Sequence, residues 1–191
     1  MSTDLPPSAG AAAQSAGLLC EAATDLLPRR QFDERLQQEL DASAREQREF
    51  ALVNLALDAL REPASAASAA ARGPALDALV KLLRATLRPP DAACRLGAER
   101  FAVLLAGVGL AAAHARMDGL RLHCADSNTE PGARASVSIG VASFPHSARS
   151  ADELMQAAAA ALSLAQRQGG NHVQLASIRF ERAAAQPTKP L

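Results

Sequence analysis

The hydrophobic residues of this chain change their spacing several times, and this limits the possible folds more than any other feature. Apolar residues at four-residue intervals within a charged stretch predict an amphipathic helix over 29–48. The next segment, 50–57, is short and almost entirely apolar, which is typical of a strand buried on both faces. Helix-like and strand-like segments therefore alternate from the beginning.

The alternation continues to residue 178. Leucines and a valine at spacings of three and four predict a helix over 74–88, which must end near Arg88 because Pro89 and Pro90 follow. The other predicted elements are strands over 94–96 and 100–105, a helix over 110–124, a strand over 135–141, a helix over 151–167 and a strand over 172–178. The order α-β-α-β-β-α-β-α-β predicts one sheet that includes a hairpin and carries packed helices.

The length of 191 residues predicts one domain with irregular ends. Residues 1–22 are rich in Ser, Pro, Gly and Ala and show no periodicity, so we expect a disordered lead. The domain itself is predicted over 23–178, followed by a flexible tail over 179–191.

The charge and aromatic content argue against nucleic-acid binding. The chain has 20 basic and 20 acidic side chains, so it lacks the excess of cations that displaces counterions from a phosphate backbone. It has no Trp or Tyr, which leaves few aromatic surfaces on which bases could stack.

Neither a membrane segment nor a metal or disulfide framework is predicted. No apolar run approaches the ~20 residues of a membrane-spanning helix, and the first residues do not resemble a secretory signal. Cys20, Cys94 and Cys124 are odd in number and lack the spacing of metal ligands, so we expect free thiols. We therefore expect a protein of the reducing cytoplasm, without a bound metal or cofactor.

Four segments together resemble the GGDEF domains, the family of diguanylate cyclases. The clearest is Arg95–Phe101, which is similar to the family's signature hairpin, and the others are Leu27–Phe32, Val137–Ala142 and Glu153–Val173. The resemblance covers residues 25–178 in matching order and spacing. It implies the nucleotide-cyclase fold, an α+β or α/β architecture with a central five-stranded mixed sheet flanked by helices.

The same resemblance implies that the reaction centre is lost. Family members hold metal ions with a strand carboxylate and a hairpin carboxylate, which fall on Ala56 and Glu99. The next acidic position of the hairpin is Arg100, and the second glycine is Ala98. Positions that contact the substrate or support the closing helix fall on Ala64, Gly73, Ala159, Gln166 and Gly170. We therefore expect no catalytic residues and no enzymatic activity.

A second family motif is retained. Arg88-Pro89-Pro90-Asp91 matches the RxxD inhibitory site, which binds the product cyclic di-GMP, and it stands at the family's distance from the hairpin. An arginine fork and a carboxylate suit the edges of guanine. The family's two accessory arginines are less well preserved. We expect Arg116 or Arg121 to replace the first, and Arg45 or Arg48 to replace the second. A chance RxxD pattern with a simple surface ion pair is the alternative interpretation.

Three functions follow from these features. The first is an inactive GGDEF-like receptor that binds cyclic di-GMP through Arg88 and Asp91 and regulates a partner protein. The second is an interaction scaffold with this fold that binds no nucleotide. The third is an active cyclase with a rearranged metal site made from Asp58 and Glu99, although Asp58 lies about 6.5 Å beyond Ala56 along a strand. Each of the three functions is compatible with a homodimer.

Overall fold

The structure, a computed structural model, describes residues 26–58, 66–126 and 135–178. The predicted lead over 1–22 and the predicted tail over 179–191 lie outside these ranges. Within them the elements are α1 (Arg29–Glu46), β1 (Phe50–Leu57), α2 (Ala66–Thr86), β2 (Ala92–Arg95), β3 (Arg100–Leu105), α3 (Leu110–Asp126), β4 (Val137–Phe144), α4 (Ala151–Arg167) and β5 (Val173–Leu175). The predicted order of helices and strands is confirmed.

The five strands form one mixed sheet in the order β2-β3-β1-β4-β5. Strand β1 pairs antiparallel with β3 and β4, β2 pairs antiparallel with β3, and β5 lies parallel to β4. All eight residues of β1 are buried, as the apolar run predicts for a central strand. The predicted five-stranded mixed sheet flanked by helices is therefore confirmed.

Helices cover both faces of the sheet. On one face, α2 and α3 pack through Leu79, Leu83 and Met117 against alternate residues of the strands. On the other face, α1 and α4 pack through Phe32 and Leu154. Because side chains alternate along a strand, the sheet supplies both cores at once.

Most element boundaries differ from the predicted ones by a few residues, and three of the differences have an evident cause. Helix α2 begins at Ala66 rather than at residue 74 and continues through Pro74, because the alanine-rich stretch before it has high helix propensity. Strand β4 runs on to Phe144, whose ring stacks on Phe50 of β1 at 5.3 Å between centroids. Strand β5 is shorter than predicted, since only three of its residues pair with β4.

Gly140 allows the closest contact between a helix and the sheet. A Cβ added at this position of β4 would lie 2.2 Å from the carbonyl oxygen of Ala158 and from the amide nitrogen of Leu162, both backbone atoms of α4. We expect Gly140→Ala to lower the free energy of unfolding by about 1–3 kcal/mol, because the helix must move away. Urea titration would measure this change.

Gly119 provides the matched control for that substitution. It lies within α3, and a Cβ added there meets no atom within 4 Å. Gly119→Ala is expected to raise stability by about 0.5–1 kcal/mol, because alanine has the higher helix propensity. Equal effects of the two substitutions would contradict the close packing of α4 on Gly140.

Candidate functional site

The two family motifs lie at opposite ends of β2. The hairpin turn follows β2 and leads into β3, whereas Arg88–Asp91 immediately precedes β2. The first end corresponds to the expected reaction centre, and the second to the expected ligand site. Strand β2 lies between the two turns and fixes the distance between them.

Strand pairing brings β1, β3 and β4 together at the expected reaction-centre end. Ala56 of β1 pairs with Arg100 of β3 on one side and with Ser138 of β4 on the other. The amide of Leu57 donates to the carbonyl of Glu99 at 3.0 Å, so the hairpin turn lies directly beside the end of β1. Ala56 and Glu99 are therefore neighbours, as the resemblance predicts, but only Glu99 carries a carboxylate.

Asp58, the other carboxylate near this end, is fully engaged within the fold. Its side chain accepts hydrogen bonds from the hydroxyls of Ser136 and Ser138, at 2.7 and 2.6 Å, and from the amide of Asn171 at 2.8 Å. It ties the end of β1 to β4 and to the loop before β5. A role as a metal ligand beside Glu99 would require these bonds to break.

Glu99 already has a positive partner. Its carboxylate lies 3.4 Å from the guanidinium of Arg72 in the first half of α2. Mg²⁺ prefers several oxygen ligands in octahedral geometry, and Ala56 supplies none. Among the described residues there is no group of three or more His, Cys, Asp or Glu side chains that could hold a metal ion. Of the two positions to which the resemblance assigns metal-binding carboxylates, Ala56 and Glu99, only Glu99 carries one.

The structure shows the surroundings of most of the positions that the resemblance assigns to substrate contacts. Gly73 lies on the exposed side of α2 with open space around it. Gly170 lies against the carboxylate of Asp58, and Gln166 stands near the end of α4. Ala64 falls outside the described residues.

Cys124 of α3 makes stability depend on alkaline pH. Burial, with a contribution from the charge of Asp58, raises the pKa of this thiol from 9.0 to about 11. The unfolded chain therefore loses the thiol proton at a lower pH than the folded chain. The contribution of this thiol to the free energy of unfolding is fully present below about pH 9, and it is lost as the pH rises towards 11.

We expect the difference in unfolding free energy between wild type and Cys124→Ala to shrink between pH 9 and pH 11. Urea titrations of both proteins at pH 8, 9, 10 and 11 would measure it. The comparison cancels the effects of other groups that titrate in this range. A constant difference would contradict the expected burial of the thiol.

At the other end of β2, Asp91 closes the turn. Its amide donates to the carbonyl of Arg88 at 2.9 Å, and its carboxylate accepts from the amide of Arg88 at 2.8 Å. The same carboxylate accepts from the amide of Ala106, after β3, at 3.2 Å. Only 1% of the Asp91 side chain is exposed. The carboxylate is thus turned inward instead of being presented to a ligand, which differs from the expected arrangement.

Arg116 of α3 completes this cluster. Its Nη2 lies 2.5 Å from the carboxylate of Asp91 and also donates to the carbonyl of Thr86. Its Nη1 is buried and has no hydrogen-bond partner. A buried guanidinium donor without a partner is costly.

The structure brings together some of the predicted arginines and separates others. Arg88 is exposed, and its side chain makes no hydrogen bond or ion pair with the described residues. Arg121 pairs with Asp118 and contacts Asn171, near β5 at the opposite edge of the sheet. Arg45 lies in the last turn of α1. The predicted site thus retains Arg88, Asp91 and Arg116 as neighbours, and their ligand role stays a prediction.

Arg35 also lies at this turn, although the sequence did not point to it. Its guanidinium lies 3.4 Å from the carbonyl of Pro90, so α1 contributes an arginine to the turn. Arg45 is ten residues further along the same helix, about 15 Å away at 1.5 Å per residue. Family spacing pointed to the end of α1, whereas the packing of α1 against β2 places its middle beside the turn.

No helix within the described ranges is long and apolar enough to cross a membrane.

Comparison with known proteins places the chain in a family. The family described as "Diguanylate cyclase, GGDEF domain" matches residues 20–172. No curated protein sequence matches the chain. The family match spans both ends of β2 and every strand except β5, which begins at the residue after the match ends.

Solved structures show the same fold. The GGDEF domain of YfiN (TpbB) from Pseudomonas aeruginosa is 27% identical, with 82% of this chain and 99% of that chain covered and a TM-score of 0.72. The GGDEF domain of DgcB from Caulobacter crescentus, solved with cyclic di-GMP, is 21% identical, with 78% and 91% covered and a TM-score of 0.69. Diguanylate cyclase SiaD from P. aeruginosa, solved with its activator SiaC, is 22% identical, with 87% and 67% covered and a TM-score of 0.68.

Proposed function

The chain belongs to the GGDEF family, and on that premise we propose that it is a catalytically inactive member that binds cyclic di-GMP at the turn Arg88–Asp91. Binding would change how the domain docks on a partner protein, and so regulate that partner. The proposal separates the two ends of β2: one has lost its chemistry, and the other remains able to bind the product of that chemistry.

The case for inactivity rests on the side chains around the hairpin. Ala56 stands where the family has a metal-binding carboxylate, and Arg100 places a positive charge beside it. The guanidinium of Arg72 forms an ion pair with the carboxylate of Glu99. The carboxylate of Asp58 already accepts three hydrogen bonds. In the family, two metal ions neutralise the charge that develops on the phosphates. The side chains around this hairpin do not supply the carboxylates that would hold both ions.

The case for binding rests on one observation: three arginines converge on a turn with unused hydrogen-bond donors. Arg88 is exposed without a partner, Arg116 has a buried unpaired nitrogen, and Arg35 reaches the turn from α1. Each cyclic di-GMP molecule carries two phosphate charges and two guanines, and guanidinium forks suit both groups. Asp91 is a positioning residue in this proposal, because it fixes the turn from which Arg88 projects.

Two similar domains have been solved in complexes of the two kinds that the proposal requires, one with nucleotide and one with a protein. The DgcB domain was solved in complex with cyclic di-GMP, and SiaD was solved in complex with a protein activator. A GGDEF fold can therefore present a surface to nucleotide and to protein.

Titration calorimetry with cyclic di-GMP tests this function. We expect saturable binding by wild type, weakened about 5- to 150-fold in Arg88→Ala, because a good bidentate guanine contact contributes about 1–3 kcal/mol. Arg30→Ala is the matched control, since Arg30 is 91% exposed and pairs only with Glu34 of the same helix. The receptor function would be rejected if wild type gave no binding heat, or if Arg88→Ala bound as tightly as wild type.

One observation favours a second candidate function, that of a scaffold that binds no nucleotide. The carboxylate of Asp91 already accepts three protein donors and is almost fully buried. If the turn served only the fold, Arg88 would be dispensable and calorimetry would show no binding. The same titration therefore separates the two functions.

A further inference from the structure

A cavity of about 340 Å³ lies between the hairpin and α4, away from the Arg88 turn. Strands β1 and β3 form its floor, and the middle of α4 forms one wall. Its volume is at the lower end of the ~300–1,000 Å³ that ligand pockets usually have. It is therefore large enough for a small molecule.

The lining of this cavity is mainly apolar. Leu96, Phe101, Met155 and Leu162 contribute side chains from the hairpin and from α4. The helix presents the small residues Ala159 and Ser163 towards it, which leaves the space open. Because Met155 is unbranched and adaptable, the wall can adjust to an aliphatic group.

Four polar residues interrupt the apolar lining: Asn54, Arg100, Gln156 and Ser163. Asn54 is 4% exposed and places its side-chain amide at the floor, within hydrogen-bond distance of the backbone of α4. Arg100 is exposed, lines the cavity, and makes no side-chain hydrogen bond or ion pair with the described residues. A cavity with an apolar body and one unpaired cation is complementary to an amphipathic anion.

The charges near the mouth support an anionic ligand. No acidic side chain lines the cavity, and the nearest acidic residue in sequence, Glu99, pairs with Arg72. The neighbouring Arg95 is held by hairpin carbonyls, with its guanidinium 5.7 Å from the centre of the Phe101 ring. Arg100 is therefore the cation available to a carboxylate, which its planar fork can bind through two hydrogen bonds.

We propose that this cavity binds a small carboxylate with an apolar body, held at its charged end by Arg100 and along its chain by Leu96, Met155 and Leu162. The site goes beyond the proposed function, because it uses neither Arg88 nor Asp91. The reversal of charge at position 100 has a chemical consequence in this proposal: a position that is acidic in the family becomes the partner of an anion.

Titration of ¹⁵N-labelled protein with octanoate, followed by NMR, tests the site. We expect saturable shifts centred on the amides of Met155, Ala159 and Leu162. Octylamine, with the same chain and the opposite charge, should bind at least about tenfold more weakly, because it cannot pair with a guanidinium. Arg100→Gln should weaken octanoate binding by a similar factor, and its NMR spectrum should remain that of a folded protein.

A second substitution tests the cavity itself. Ser163→Leu places a larger side chain in the open space and should abolish the octanoate shifts. Ala160→Leu is the control, because Ala160 is exposed on the same helix and does not line the cavity. Octanoate shifts scattered over the surface, equal binding of octylamine, or unchanged binding in Ser163→Leu would each overturn the proposal. Cyclic di-GMP binding by these variants reports separately on the Arg88 turn.

Discussion

Asp91→Ala is expected to lower the free energy of unfolding by about 3 kcal/mol or more. The substitution removes a buried carboxylate that accepts hydrogen bonds from Arg88, Ala106 and Arg116, and it leaves the guanidinium of Arg116 without its charged partner. Breaking one member of a buried ion pair typically costs about 3–5 kcal/mol. At ~2–4 °C per kcal/mol for a chain of this size, the melting temperature should fall by roughly 6–20 °C.

Thermal unfolding followed by circular dichroism would measure this loss. Asp33→Ala is the matched control, because Asp33 forms an exposed pair with Arg29 one turn away in α1, and such pairs contribute under about 1 kcal/mol. Asp91→Asn should fall between the two, since the amide keeps an oxygen acceptor but loses the charge. Equal melting temperatures for Asp91→Ala and Asp33→Ala would show that Asp91 does not hold the turn.

Incubation of wild type with GTP and Mg²⁺ is expected to yield no cyclic di-GMP above the protein-free blank. We expect this result because Ala56 replaces one of the two carboxylates that the resemblance assigns to metal binding, and Arg72 pairs with the other, Glu99. Ala56→Asp alone should not restore activity, because Arg100 pairs with position 56 across the strands and Arg72 occupies Glu99. Chromatography of the products, with an active GGDEF domain as the positive control, would measure turnover.

A triple variant separates metal binding from catalysis. Ala56→Asp combined with Arg72→Ala and Arg100→Asp restores carboxylates and removes two competing cations. We expect it to bind Mn²⁺ at least about tenfold more tightly than wild type but to remain without turnover, because Gln166 and Gly170 stand at the family's triphosphate-contact positions. Product formation by wild type would instead favour the rearranged metal site of Asp58 and Glu99.

Much of the fold was predictable because local patterns and tertiary packing agree. The buried run 50–57 became the central strand, and Gly97–Glu99 became a turn between two strands. The start of α2 was not predictable from local pattern, because Gly73 and Pro74 are residues that usually interrupt a helix. The alanine-rich stretch before them nevertheless extends the helix back to Ala66. The extension of β4 depended on Phe50 across the sheet, a contact that no local pattern reports.

The candidate site was predictable in its residue types but not in its geometry. Motif spacing placed Arg88 and Asp91 in one turn, yet it could not show that the carboxylate of Asp91 points inward, because its partners come from β3 and α3. Arg116 was one of two candidates on α3, and only the packing of that helix distinguishes it from Arg121. Arg35 was missed because the approach of α1 to the turn is a tertiary contact.

A crystal structure of the domain grown with cyclic di-GMP would show whether the nucleotide binds at the Arg88–Asp91 turn. We expect a nucleotide whose guanine edge or phosphate contacts Arg88, with Arg116 or Arg35 also in contact and no nucleotide beside Ala56. A structure with no nucleotide at the turn, or with nucleotide only in the cleft between Ala56 and the hairpin, would contradict this expectation.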